Sequence, residues 1–99
     1  MTSRLTAVAL VVPDYDPAID FFCNVMGFSL IDDIDQGAKR WVTVEPPGGG
    51  VRLVLARAEG PEQQAAIGNQ SGGRVWLFLG IIYEIRQISL ALVPFMGHD

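Results

Sequence analysis

Two tryptophans and two arginines stand in matching contexts, Trp41 in "KRWVTVE" and Arg52 in "VRLVLA", then Arg74 and Trp76 together in "RVWLFL". An indole offers a flat stacking surface and a guanidinium a planar fork of donors, so this set suits an aromatic or anionic small molecule. Thr43 and Glu45 alternate with Trp41 at the spacing of one strand face, adding a hydroxyl and a carboxylate. Trp41, Thr43, Glu45, Arg52, Arg74 and Trp76 are therefore the candidate ligand-binding residues. No residue stands out as catalytic. Each member of the set also has a plain structural role open to it: Arg52 can pair with Glu45 across a hairpin, and the indoles can pack in an interface.

The remaining reactive side chains are few. Cys23 and His98 are the sole cysteine and histidine. Cys23 has no disulfide partner in the chain and reads as a small apolar residue of a helix face, while His98 lies in a terminal tail. Asp32, Asp33 and Asp35 have the look of a cation site, but this spacing in a strand and turn reads as a solvated edge. Nothing has the spacing of a Cys/His metal cluster, and no cofactor is expected.

Composition narrows the function classes further. A chain of 99 residues makes one domain; at this size about two thirds of the unfolded surface is buried, which leaves a thin core. Hydrophobic residues make up 49% and charged residues 18%, a balance that favours an apolar surface shared with another subunit. The net charge of -4, with seven scattered Lys and Arg, speaks against nucleic acid as a partner. The apolar run before Pro13 is too short for a membrane span and has no cleavage signal, and a lone cysteine fits a reducing compartment, so a cytoplasmic protein is expected.

The elements that must position these residues follow from pattern. Thr6 to Val12 is a nearly unbroken β-branched and aliphatic run that reads as a strand buried on both faces. In "DPAIDFFCNVMGF", Asp16 serves as an N-cap with Pro17 at the first helical position. Ile19, Phe22, Cys23 and Met26 then form one apolar helix face, and Gly27 with Phe28 gives a Schellman ending. Strands follow from Ser29 to Ile34, in "KRWVTVE" and in "VRLVLA", the last two joined by the turn "PPGGG". Residues 58–73 read as a linker with two helical turns from Pro61 to Ile67. "RVWLFL" restarts the pattern of the first strand, and Ile81, Ile85, Ile88 and Leu92 fit an amphipathic helix stopped by Pro94.

With "AIDFFCNVMGF" on the helix, "KRWVTVEPPGGGVRLVLARA" as a hairpin and "GGRVWLFL" restarting, the chain resembles the vicinal oxygen chelate superfamily of glyoxalases, bleomycin-resistance proteins and extradiol dioxygenases. The resemblance covers residues 4–80. It implies an α+β fold: a βαβββ module over residues 4–57, a linker over 58–73, a partial second module of one strand and one helix over 74–93, and a tail over 94–99. It also implies paired modules around a cleft in which family enzymes hold a divalent metal. The positions it assigns to metal ligands fall on Ala7 and Val54, which carry no donor atom, and on Arg74, a permanent cation.

If Ala7 faces such a cleft, Ala9 and Val11 do too, with Val8, Leu10 and Val12 beneath the helix. Trp41, Thr43, Glu45, Arg52 and Val54 then face the cleft, as do Arg74, Trp76 and Phe78, while Val42, Val44, Leu53, Leu55, Val75, Leu77 and Leu79 point inward. The expectation is a metal-free binding or sequestering protein that forms a homodimer, with exchange of the fifth strand and tail helix as one form of it. Two rivals stand beside it: a metal-dependent lyase or dioxygenase whose ligands lie elsewhere, and a truncated family member without function.

Overall fold

The computed structural model describes residues 1–83 and 86–91, the side chains of 81–83 and 86–91 excepted. The order is β1 (Ala7–Val12), α1 (Tyr15–Asp20), a π-helical turn (Phe21–Val25), β2 (Ser29–Asp35), β3 (Arg40–Glu45), β4 (Arg52–Arg57), α2 (Gly60–Ala66), β5 (Phe78–Tyr83) and β6 (Arg86–Ala91). The first four strands form a sheet in the order β1-β4-β3-β2, with β1 parallel to β4 and the other pairs antiparallel. This is the expected βαβββ module, and the protein is α+β.

Alternation along the strands sorts the two faces. Leu10 and Val12 of β1, Val42 and Val44 of β3, and Leu53 and Leu55 of β4 are buried against Tyr15, Ala18, Phe22 and Phe28, with Val8 partly buried beside them. The Phe22 and Phe28 rings lie 5.3 Å apart, and Phe28 N–H donates to Phe22 O at 2.8 Å while Gly27 takes φ 78°. That is the Schellman ending, and only a residue free of the Cβ penalty takes its left-handed corner readily.

The helix start differs from expectation. Asp14, in extended conformation, caps the helix by accepting from Tyr15 N–H at 2.7 Å, so Asp16 and Pro17 both lie inside the first turn. Pro17 is tolerated there because first-turn N–H groups have no intrahelical acceptor. Asp16 is released to bind Arg40.

The second half differs more. The strand expected over 74–79 begins only at Phe78, and Val75, expected inward, is exposed. The helix expected from Ile81 is instead an antiparallel hairpin, with Phe78 opposite Ala91 and Tyr83 opposite Arg86. Apolar residues at i, i+4 and i+7 fit a helix, but a run so rich in β-branched isoleucine also satisfies a strand, and strand pairing wins. Ile85, Leu92, Pro94 and His98 lie outside the described residues. Leu77 and Leu79 pack against the core, as expected.

One contact ties the segment after α2 to the first strand. The Gln70 side chain accepts from Val11 N–H at 2.8 Å and donates to Ala9 O at 2.9 Å, on the edge of β1 that faces away from β4.

Candidate functional site

The face of the sheet turned away from α1 carries the site. The strand register sets Ala9 beside Val54, Val54 beside Thr43 and Thr43 beside Asp32, one row across all four strands. A pocket of about 570 Å³ lies on this face, and its walls include Ala7, Asp32, Trp41, Thr43, Glu45 and Arg52. That volume falls within the range of roughly 300–1,000 Å³ common for small-molecule sites.

Four of the six residues singled out from sequence thus come together. Arg74 and Trp76 do not line this pocket; Arg74 and Trp76 are exposed in the segment before β5, where the Ser71 hydroxyl donates to Arg74 O. Within the pocket, Arg52 Nε donates to Glu45 Oε2 at 3.0 Å, the cross-hairpin pair anticipated above. The structural role and pocket-lining position therefore coexist in Arg52. Trp41 lines the pocket and is 41% exposed.

Asp32 escaped the sequence reading. Regular pairing from Ser29 opposite Glu45 and Leu30 opposite Val44 would put Ile31 opposite Thr43 and Asp32 opposite buried Val42. A register shift between Leu30 and Asp32 inserts Ile31 as an extra residue, so Asp32 meets Thr43 and Ile34 meets Trp41. The bulge turns the carboxylate from the core side to the pocket side. Thr43, 2% exposed, donates its hydroxyl to Asp32 Oδ2 at 2.7 Å.

The other two aspartates of the run have different partners. Asp33 is held by Arg40 through two bonds, Nε to Oδ1 at 3.0 Å and a terminal nitrogen to Oδ2 at 2.8 Å. Those bonds hold its pKa below the ordinary carboxylate value, against the smaller opposing effect of burial. Arg40 also reaches Asp16 at 2.9 Å, and it and Arg57 each sit 5.1 Å from the Tyr15 ring centroid. Asp35 accepts from Gly37 N–H at the β2–β3 turn. The cluster is a strut between α1 and the sheet.

Among the described residues no group of three or more His, Cys, Asp or Glu is placed to hold a metal ion. Of the positions that the resemblance assigns to ligands, Ala7 lines the pocket and Val54 stands opposite Ala9 in the register, and neither side chain carries a donor atom. Cys23 has its thiol pKa raised by burial first and by nearby Asp20 second, opposite to what a nucleophile needs.

The sequence profile of the Glyoxalase/Bleomycin resistance protein/Dioxygenase superfamily matches residues 4–90. The chain belongs to this superfamily. An uncharacterized protein of Shewanella frigidimarina is 57% identical over 82 residues, which cover 80% of this chain and 61% of that protein. The solved structure of UcmS2 matches with a TM-score of 0.59 and 31% identity, over 70% of this chain and 59% of UcmS2. TnmS3, an antibiotic binding protein from Streptomyces sp. CB03234, matches with a TM-score of 0.51 and 32% identity, over 57% of this chain and 46% of TnmS3. This superfamily member therefore spans less than two thirds of these relatives.

Proposed function

We propose that this chain binds and sequesters a small aromatic molecule in the pocket on the open sheet face, without a metal and as a two-fold homodimer in the cytoplasm. The observation that carries the reading is the convergence of half-exposed Trp41 with Thr43, Asp32, Glu45 and Arg52 around one cavity. An indole beside fixed polar groups is how a mostly apolar site orients a flat ligand. The likeness to TnmS3, whose own name states antibiotic binding, supports the same class of role. The donor-free Ala7 and Val54 support a metal-free site.

A second copy is supported by exposed apolar side chains: Ile34 and Trp41 on the open face, and Trp76 and Phe78 in the segment leading into β5. Within this reading residues 4–57 are the binding module, residues 58–73 a linker and residues 74–93 a partial second module.

Fluorescence titration tests the binding. In a Trp76→Phe background Trp41 is the one remaining tryptophan, and an anthraquinone should quench it with a saturable curve that survives a chelator. Unquenched fluorescence at saturating ligand would remove the reading. Chelator-sensitive turnover of a hemithioacetal or catechol would favour the enzyme rival.

A further inference from the structure

We infer that Asp32 anchors the ligand, and that the pocket selects aromatic molecules bearing a hydrogen-bond donor, an amine or a hydroxyl, over anionic ones. The inference rests on the binding role proposed above and specifies the ligand's chemistry.

Three features of the structure lead to it. The bulge at Ile31 is what brings a carboxylate to this face, since regular pairing would present an isoleucine opposite Thr43. Bulges are common next to binding sites because one extra residue re-aims a side chain. Next, Thr43 is buried and spends its only hydroxyl proton on Asp32 Oδ2. An ionised carboxylate has acceptor sites on both oxygens and donates nothing, so the bond fixes the group's direction and leaves Oδ1 to accept from a ligand. Among the described residues no group donates to Asp32 Oδ1.

The third feature is the charge around it. Arg52 is engaged by Glu45, so that pair cancels within the pocket wall. Arg4, exposed on the N-terminal segment, is the other cation lining the pocket, and Asp32 balances it. The pocket thus has no excess of positive charge with which to hold an anion. Its sheet-borne carboxylate shares the pocket with Trp41, whose ring accepts a flat ligand and, in the amine case, also attracts the cation by its π-face.

The test uses the full chain with Trp76→Phe and three probes: an aminoacridine, a neutral hydroxyanthraquinone and an anthraquinone sulfonate. Asp32→Asn keeps the shape and an oxygen that can accept from Thr43 while removing the charge, and an unchanged melting temperature shows that the fold is kept. The amine should lose at least about tenfold in affinity, as expected for a hydrogen bond to a charged group, and the hydroxyl probe a smaller factor. The sulfonate should bind weakest to the parent and gain in Asp32→Asn. Equal affinities for parent and Asp32→Asn with both donor probes would overturn the inference while leaving the binding role intact. Tightest binding of the sulfonate, lost in Arg4→Ala, would overturn it as well. Failure of all three probes to quench Trp41 would remove the binding role and the inference with it.

Discussion

Asp32, Asp33 and Asp35 look alike in the sequence, and three different physical situations separate them. Asp32 faces the pocket, Asp33 lies under the Arg40 fork, and Asp35 closes a turn onto Gly37. Alternation alone predicts the face of a residue only while the register is regular, so the bulge at Ile31 hid Asp32 from the sequence reading while Trp41, Thr43, Glu45 and Arg52 were legible. The Arg40–Asp33 pair has a pH signature. Because Asp33 has a lower pKa folded than unfolded, its contribution is present above the ordinary carboxylate pKa and is lost as pH falls through the depressed folded value. Asp33→Asn should melt below the parent at neutral pH, and the two melting curves should converge in acid. A gap that stays constant down to strongly acidic pH would show that the pair is not responsible.

Among elements, the legible ones were those with local signals strong enough to act alone. Gly27 ended the helix because its turn needs a positive φ, and "PPGGG" made a turn in which Gly49 N–H donates to Pro46 O at 2.9 Å. The β5–β6 hairpin was not legible, since its apolar spacing satisfies two periods and the outcome depends on which partner the chain meets. The bulge in β2 offers a direct test at this scale. Removing Ile31 leaves Leu30 opposite Val44 and Asp32 opposite Thr43, an uninterrupted ladder with the same residues on each face. A chain with Ile31 deleted should therefore fold and keep its affinity for an aminoacridine. Insertion of one alanine after Ile31 should instead push Asp32 out of step with Thr43 and weaken that affinity. Equal loss in both variants would show that the extra residue matters for more than register.

At the scale of the molecule, the proposed homodimer rests on the apolar side chains that one copy leaves in water, among them Phe78 at 70% exposed. Light scattering at low micromolar concentration should report twice the chain mass of 10.8 kDa. A chain ended at Gly80 should lose either stability or assembly if residues beyond it contribute to the interface. A monomeric mass for the full chain would remove the dimer from the proposal.

The Gln70 side chain meets β1 as a peptide group would, one oxygen toward Val11 N–H and one N–H toward Ala9 O. A primary amide has the same donor and acceptor as a backbone unit, so this single side chain imitates one rung of a neighbouring strand, and among the described residues no strand continues it. The outer edge of a sheet is a template on which further chains can stack into fibrils, and an imitation rung blocks the template where it is most apolar, in the run Ala7–Val12. Gln70→Ala would uncover that run. Its Val11 amide should exchange with solvent deuterium faster than in the parent, and the protein should form thioflavin-binding aggregates sooner on agitation. Unchanged exchange and unchanged lag time would mean that the amide decorates the edge without guarding it.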